Sequence, residues 1–410
     1  MHIHSGSLYW PSTYFPTPIH SFQRLENYEA IIVGGGMSGA LTAWALMNKG
    51  LKVAILDKRQ VATGSTSANT GLLQYSNDIM LHELIEQIGE KNAVDFYRLC
   101  LEAMEDLQEI ADRLPENVDF INRSSIYYAS DSTEEERLLK EYRTLRKYGF
   151  PCEYWDKHTL LSKTGIDRAG AIITHGDAEV NPFAFAHGIF KEVQKMGAHI
   201  FEFTEVLDVH EQNGKLHIQT SEGDFQANNV IFTTGYETLP VGKRIGADIN
   251  RSYVIVTNPL DSPPWYNNAL IWETKRPYLY MRTTADGRII IGGLDENTGY
   301  MPPNEERIME RGLELNEQLK HLFPKLTVSI DYSYCATFGE SLDNLPFIGE
   351  HPKKRGHYYL LGYGGNGTVY SMIGATILAD SLTGKKNPYA HIVALDRVLQ
   401  LENDGRTVVQ

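Results

Sequence analysis

The segment IIVGGGMSG, residues 31–39, decides the fold of this chain. Its apolar start predicts a buried strand and its glycines predict a tight loop. Residues 37–49 then predict a helix that Gly50 ends. Residues 52–56 predict a second short strand, which ends at Asp57. We expect these segments to form one complete β-α-β unit.

The glycines of this segment have the spacing of a dinucleotide-binding loop. Gly34, Gly36 and Gly39 satisfy G-x-G-x-x-G, in which they allow the tight turn, the close approach to a pyrophosphate and the packing of helix on strand. The helix start at Met37 and Ser38 carries partial positive charge, which attracts phosphate. The acid about 20 residues further on suits a ribose hydroxyl. The sequence therefore predicts a dinucleotide site.

Two further features favour FAD over a nicotinamide cofactor. A hydroxyl-rich loop, GSTSANTGLLQ at residues 64–74, follows the acid. Residues 362–367, GYGGNG, repeat the glycine pattern between a strand and a helix, but no strand ending in an acid comes after that helix. We interpret them as a second helix start whose dipole favours the negative charge of a reduced flavin, with a plain tight turn as the alternative.

Composition limits the partners of the protein. Lys and Arg total 38 against 52 Asp and Glu, a formal net charge of −14 that repels nucleic acid and anionic membranes. The three cysteines are scattered, which argues against a disulfide framework or a zinc site. No apolar run has the roughly 20 residues of a membrane helix, and the N-terminus lacks a signal-peptide pattern. We expect a cytoplasmic protein without nucleic-acid or membrane partners, and make no prediction of its oligomeric state.

The fold class is predicted as α/β plus α+β, because 410 residues exceed one simple core. A Rossmann-like FAD-binding domain is interleaved with a mixed-sheet substrate domain. The predicted boundaries are an N-terminal arm at 1–27, FAD-binding segments at 28–80, 150–235 and 336–385, substrate segments at 81–149 and 236–335, and a peripheral tail at 386–410. We expect residues 250–335 to be strand-rich, with a hairpin that turns at Asp286 and Gly287.

Several segments occur in the order found in a known family. Besides the two glycine loops, they are GSTSANTGLLQ, GDAEVNP, VIFTTG, YLYMRTTADGRIIIGG and LDNLPFIG. On these residues the chain resembles the D-amino-acid-oxidase-like (DAO) family of FAD-dependent oxidoreductases, which includes glycine oxidase, sarcosine oxidase and γ-glutamylputrescine oxidase. The resemblance covers about residues 28–384. It implies oxidation of a C–N bond of an amine or amino acid by hydride transfer to flavin N5, and hydrolysis of the resulting imine.

The resemblance also implies cofactor-binding positions. The positions beside the adenosine are Asp57, Lys58, Arg59 and Val206. Those along the pyrophosphate, ribityl chain and isoalloxazine are Ser65, Thr66, Ser67, Asn69, Thr70, Gly71 and Leu72. Those at the strand end and at the second helix start are Thr234, Gly235, Gly364, Gly365, Asn366, Gly367 and Thr368.

The substrate residues depart from the best-known members. Glycine-oxidase-like members clamp the substrate carboxylate with an arginine that residues 334–341, YCATFGES, do not contain. Arg282 on the hairpin is a candidate replacement, and Glu340 is a candidate partner for a cationic amine. The candidates for an aromatic wall are Tyr253, Tyr278, Tyr280 and Tyr363.

Other points stay open. Sarcosine-oxidase relatives attach the flavin through a cysteine in this region, so Cys335 is either such a link or a buried, inert thiol. Those relatives also carry a lysine for oxygen activation where residues 289–291 are isoleucines, so the electron acceptor is O2 or an unknown one. The alternative functions are an FAD-dependent dehydrogenase of a 2-hydroxy acid or polyol, and a non-catalytic flavoprotein subunit of an electron-transfer complex.

Overall fold

The structure is a computed structural model that describes residues 3–19, 24–237, 247–297, 304–362 and 364–397. In chain order, its strands are β1 (His4–Gly6), β2 (Tyr28–Val33), β3 (Val53–Leu56), β4 (Leu72–Leu73), β5 (Ile121–Tyr128), β6 (Cys152–Asp156), β7 (Gly170–Glu179), β8 (His199–Phe201), β9 (Val206–Gln212), β10 (Lys215–Thr220), β11 (Phe225–Phe232), β12 (Ala247–Thr257), β13 (Leu270–Glu273), β14 (Tyr280–Thr283), β15 (Ile289–Glu296), β16 (Ile330–Ser341), β17 (Phe347–Glu350) and β18 (His357–Leu361). The α-helices are Met37–Asn48, Ser65–Ala68, Leu81–Ile88, Glu90–Arg113, Glu135–Lys147, Lys157–Thr164, Pro182–Lys195, Glu305–Leu322 and Gly367–Leu382.

One sheet contains the β-α-β unit that the sequence predicts. Within the described residues it has eight strands, in the order β17-β18-β11-β2-β3-β8, with β9 and β10 attached beside β11. The pairs from β18 to β8 are parallel, and β17 is an antiparallel edge. Parallel strands joined by helices place their carboxyl ends at one edge of a sheet. The Rossmann-like fold is therefore confirmed.

The glycine loop is packed against the end of β11. Gly34 has a φ of +112°, which side chains rarely adopt, and a Cβ there would lie 2.6 Å from the Thr233 carbonyl oxygen. A Cβ on Gly39 would lie 2.0 Å from the Gly34 carbonyl oxygen. Thr233 Oγ1 also donates to that oxygen at 2.9 Å. Both positions therefore require glycine.

The second sheet is mixed. In the part of the chain that is described, ten strands follow the order β1-β16-β12-β15-β14-β13-β5-β7-β4, with β6 beside β7. β13 and β5 are parallel, whereas the other pairs are antiparallel. β14 and β15 form the predicted hairpin, with Met281 opposite Ile291.

The two faces of this sheet have different surroundings. Ile255 and Met281 belong to a core with Leu315 of the helix Glu305–Leu322. Ser252 and Val254, the alternate residues of β12, line a cavity on the other face. Because side chains alternate along a strand, this division decides which residues of the sheet can reach the cavity.

Several segments differ from the predicted organisation. β6 and β7 lie at 152–179, inside a segment assigned to FAD binding, but they pair with the ten-stranded sheet because β7 continues it beside β5. The region 250–335 contains a long helix as well as strands. Its Asn304 side chain accepts from the Arg307 N–H, which caps the helix, and Ile308 and Leu315 face the sheet with helical spacing.

The described parts of the predicted arm and tail both pack against the rest of the protein. The N-terminal arm contains β1, which pairs with β16, and its Trp10 is only 2% exposed. The tail packs at least as far as Arg397, whose Nε lies 2.7 Å from Asp343 Oδ2. The three cysteines are buried free thiols. None of the described helices is both long and apolar enough to cross a membrane.

Candidate cofactor and substrate site

Two adjoining cavities lie between the sheets. The glycine-loop cavity, of about 300 Å³, is lined by both glycine turns, the end of β3 and the end of β11. The aromatic cavity, of about 150 Å³, is lined by residues of the ten-stranded sheet and the second glycine turn. Ser65, Asn69, Tyr236 and Gly367 line both cavities. The two therefore form one continuous site.

The glycine-loop cavity brings together most of the predicted cofactor positions. Those that line it are Gly34, Gly36, Met37, Ser38, Asp57, Lys58, Arg59, Ser65, Thr66, Asn69, Val206, Thr234, Gly235, Gly367 and Thr368. Thr70, Leu72, Gly364, Gly365 and Asn366 line the aromatic cavity instead. Gly39, Ser67 and Gly71 line neither, since Gly39 packs against the Gly34 carbonyl, Ser67 Oγ donates to Gly64 O and Gly71 packs against Val180.

Asp57 is held at the carboxyl end of β3. Its Oδ2 accepts from the Gly35 N–H at 2.6 Å, and its Oδ1 accepts from the Arg59 N–H at 2.8 Å. Burial raises the pKa of Asp57, although the two N–H groups oppose the rise. Lys58 Nζ and Arg59 Nη2 pair with Glu237, at 3.1 and 2.6 Å. Glu237 was missed from the sequence, although it lies two residues after Gly235, because it belongs to no motif.

The first helix begins at the glycine-loop cavity, where hydrogen bonds from other segments hold its first residues. The Met37 N–H donates to Thr66 Oγ1 at 2.9 Å, and Ser38 Oγ lies 2.7 Å from Ser371 Oγ on the last helix. Ser371 was missed from the sequence, since a serine 333 residues away carries no motif. Backbone donors, hydroxyls and an acid at a strand end make a set that fits the phosphates and ribose of a dinucleotide.

The second glycine turn belongs to the same site. The Gly364 N–H donates to Gly339 O at 2.7 Å, and the Gly365 N–H donates to Asp78 Oδ2 at 2.7 Å. Asn366 Nδ2 donates to Gln74 O at 2.7 Å. These bonds fasten the start of the last helix to β16, to the end of the hydroxyl-rich loop and to Asp78 just after that loop. The second glycine turn and the first glycine loop line the same cavity.

Arg282 does not occupy the predicted clamp position. Its side chain is 0% exposed and does not line the aromatic cavity. Its Nη1 donates to the carbonyl oxygens of Gly71 and Val180, each at 2.8 Å, and its Nε lies 3.8 Å from Glu179. These backbone carbonyls and the acid hold the guanidinium behind the hydroxyl-rich loop. The carboxylate-clamp prediction for Arg282 is therefore wrong.

Five aromatic side chains line the aromatic cavity, those of Trp272, Tyr278, Tyr280, Tyr236 and Phe338, and the first three lie side by side. Trp272 meets Tyr278 edge-on at 6.0 Å, and Tyr278 meets Tyr280 at 5.7 Å. Tyr253 is not part of the wall, because its ring lies in the core on the opposite face and its hydroxyl donates to Glu296. Tyr363 lies outside the described residues.

Carboxylates accompany these rings. Asp295 and Asp78 line the aromatic cavity, and Glu340 lies nearby on β16, where its Oε2 accepts from Asn250 Nδ2 at 2.8 Å. Burial raises the pKa of Asp295 to about 6 and that of Glu340 to about 7, and the charge of Asp78 adds to both rises. Asp295 and Asp78 were missed because neither belongs to a sequence motif.

Cys335 faces away from both cavities. Its side chain is buried in the core under the helix Glu305–Leu322, beside Tyr253. A covalent link to a flavin through this thiol would require it to cross the sheet. Among the described residues, no group of His, Cys, Asp and Glu is arranged to hold a metal ion.

Known proteins share this architecture. The chain is 24% identical to the probable oxidoreductase OrdL of Haemophilus influenzae over 91% of its own length and 88% of the relative's. It is 23% identical to γ-glutamylputrescine oxidoreductase of Escherichia coli, over 93% and 89%. The crystal structure of glycine oxidase from Geobacillus kaustophilus superposes with a TM-score of 0.80 and 21% identity, over 91% and 100%.

The family profile described as DAO, FAD-dependent oxidoreductase, matches residues 29–381. This region includes the hairpin, the second glycine turn and every lining residue of the glycine-loop cavity except Ile3. The cofactor is therefore FAD, and the chain belongs to the DAO family of FAD-dependent oxidoreductases.

Proposed function

We propose that the protein oxidises the C–N bond of a small amine, which enters the aromatic cavity as a cation and leaves as an imine that water hydrolyses. Bound FAD supplies the redox chemistry by taking a hydride at N5. The observation that carries the proposal is the aromatic cavity, which adjoins the glycine-loop cavity and is lined by rings and carboxylates.

The charges around the cavity favour a cationic substrate. The Asp78 carboxylate already has partners within the protein. It accepts hydrogen bonds from the Gly365 N–H and the Tyr278 hydroxyl and lies 3.5 Å from Arg276. Within the described residues, Asp295 and Glu340 form no ion pair with an arginine, although the charge of Arg276 lowers the pKa of each and so opposes part of the rise. A positive charge placed between them would offset the burial that raises their pKa values.

The rings of the cavity support the same class of substrate. Trp272, Tyr278 and Tyr280 present aromatic surface beside the carboxylates. A cation near an aromatic face gains about 0.5–2 kcal/mol, more where water is excluded. The apolar surface also accommodates the carbon chain of an amine, while the carboxylates hold its nitrogen.

We assign the role of proton acceptor to Asp295. An ammonium group must lose a proton before its nitrogen lone pair can assist departure of the hydride from the adjacent carbon. Asp295 Oδ1 is buried and has no hydrogen-bond partner in the described part of the chain. Because its pKa is about 6, its carboxylate can accept that proton near neutral pH.

The position of Arg282 supports an amine over an α-amino acid. It leaves the described lining of the aromatic cavity without an arginine to bind a substrate carboxylate. The relatives are named for both classes, γ-glutamylputrescine in one and glycine in another. To complete the turnover, the reduced flavin is reoxidised by O2 or by another electron acceptor. We also propose a cytoplasmic location.

The test is anaerobic reduction of the purified holoenzyme by single compounds. We expect primary or secondary amines to bleach the visible flavin absorption, and their N-acetylated forms, which carry no charge, to leave it unchanged. Admitting O2 then shows whether oxygen restores the colour. Bleaching by 2-hydroxy acids or polyols alone would contradict the proposal. So would inactivity towards every amine together with co-purification of a dehydrogenase partner.

A paired variant tests the role of Asp295. Asp295→Asn is expected to slow flavin reduction at least tenfold and to remove its rise with pH near 6. Asp261→Asn makes the same chemical change at an exposed position and serves as the control. Equal reduction rates in the two variants would exclude Asp295 as the proton acceptor.

A further inference from the structure

We infer that the N-terminal arm is a working part of the cofactor site, in which Trp10 positions the flavin loop, residues 69–71, and Ile3 forms part of the cavity wall. The family profile begins at residue 29, so the arm lies outside the region that the profile matches. The inference depends on FAD binding, and it does not depend on which substrate the protein oxidises.

Trp10 holds the loop where the two cavities join. Its indole is 2% exposed, and Nε1 donates to the Asn69 carbonyl oxygen at 2.6 Å. The Asn69 side chain lines both cavities, and its Oδ1 accepts from the Gly71 N–H at 2.7 Å. Trp10 therefore fixes the backbone of the residue that lines both cavities at their junction, where it would support a bound FAD.

Arg282 completes the support of the same loop. Its Nη1 donates to Gly71 O at 2.8 Å and lies 3.4 Å from Thr70 O. Its guanidinium also lies over the Trp10 ring, 5.4 Å from the centroid. The three carbonyl groups of the flavin loop thus bind donors from the arm and from β14. Buried carbonyls need such partners, so the loop has one preferred orientation.

The beginning of the arm reaches the other cavity. Ile3 lines the glycine-loop cavity and is only 9% exposed. His4 Nε2 lies 3.0 Å from the Thr63 carbonyl oxygen, next to the hydroxyl-rich loop. The arm therefore contacts the cofactor region at Ile3, His4 and Trp10, on both sides of the short helix Ser65–Ala68.

The arm is anchored independently of these contacts. β1 pairs with β16, and the Thr337 N–H donates to Ile3 O at 2.8 Å. The Tyr9 hydroxyl donates to Asp286 Oδ1 at 2.6 Å, at the turn of the hairpin. The ten-stranded sheet thus holds the arm, and the arm holds the flavin loop. This chain of contacts makes Trp10 a positioning residue.

The test compares two conservative substitutions in the arm. Trp10→Phe keeps a ring but removes the donor to Asn69, whereas Tyr9→Phe removes the neighbouring hydrogen bond to Asp286. We expect Trp10→Phe to raise the dissociation constant of FAD about tenfold, which corresponds to about 1.4 kcal/mol. It should also alter the visible spectrum of the bound flavin. Tyr9→Phe should bind FAD as the wild type does, because the backbone pairing of β1 with β16 still anchors the arm and the Trp10 donor is intact.

Flavin release from the holoenzyme is followed by the fluorescence of free FAD, and unfolding is followed by far-UV circular dichroism. Wild-type affinity in Trp10→Phe would overturn the inference. An equal loss of affinity in Trp10→Phe and Tyr9→Phe, with matching losses of stability and unchanged spectra, would overturn it as well. Should Trp10→Phe not fold, His4→Ala removes the contact with Thr63 from a partly exposed position. An FAD affinity within twofold of the wild type in His4→Ala would then refute the inference, and a loss of roughly fivefold would support it.

Discussion

Replacing Glu340 with glutamine is expected to stabilise the substrate-free holoenzyme and to weaken amine binding. Glu340 is partly buried, and its Oε2 accepts a hydrogen bond from Asn250. Burial, with the charge of Asp78, raises its pKa from 4.5 to about 7. One pKa unit corresponds to about 1.4 kcal/mol, so ionisation of this side chain costs the folded state about 3 kcal/mol.

That cost has a defined pH window. The unfolded chain loses the Glu340 proton near pH 4.5, whereas the folded chain keeps it up to about pH 7. The folded state binds more protons between these values, so the free energy of unfolding falls as the pH rises through the window. Glutamine has no such proton. The stability advantage of Glu340→Gln should therefore grow from nothing below pH 4.5 to about 3 kcal/mol above pH 7.

The assay is chemical unfolding of amine-free holoenzyme across this pH range. Glu317→Gln, at a side chain that is 72% exposed, is the matched control and should show no pH-dependent gain. Coincident stability curves for Glu340→Gln and the wild type would refute the burial argument. Anaerobic titration tests the second part, in which the variant should need about tenfold more amine for half-maximal reduction. Unchanged amine binding would remove Glu340 from substrate recognition.

Three further substitutions test the architecture. Gly39→Ala should abolish tight FAD binding in equilibrium dialysis, because its Cβ would lie 2.0 Å from the Gly34 carbonyl oxygen; full affinity would contradict this contact. Cys335→Ser should release flavin on acid precipitation as the wild type does, since the thiol faces the core; flavin retained in the wild-type pellet alone would contradict that placement. Arg282→Met should lower the free energy of unfolding by about 3 kcal/mol, because Glu179 loses one of its buried cationic neighbours; an unchanged thermal unfolding curve would contradict it.

The cofactor half of the site could be predicted from the sequence because short-range geometry determines it. The turn at Gly34 requires a positive φ, the contact at Gly39 excludes a Cβ, and Asp57 follows at the end of the next strand. These requirements are expressed within about 25 consecutive residues. The pattern therefore carries the fold and the ligand class together.

The aromatic cavity could not be predicted in the same way. Its residues come from β12, β13, β14, β15 and β16, whose order in the sheet is set by long-range pairing. Arg282 and Tyr280 are two residues apart on β14, so their side chains point to the same face of the sheet, yet only Tyr280 lines the cavity. The difference arises because loop carbonyls cover Arg282. No local sequence pattern indicates that these carbonyls cover the Arg282 side chain.

Asp78 connects the two halves chemically. Its carboxylate accepts from the Gly365 N–H at the second glycine turn, and its charge contributes to the raised pKa values of Asp295 and Glu340. A cation bound beside Asp295 and Glu340 lowers their pKa values and so favours the ionised form of both side chains. On the proposed function, a bound amine therefore changes the field at the second helix start. We then expect Asp78→Asn to change both the amine affinity and the reduction potential of the flavin, measured by anaerobic titration, and a change in only one of them would contradict the coupling.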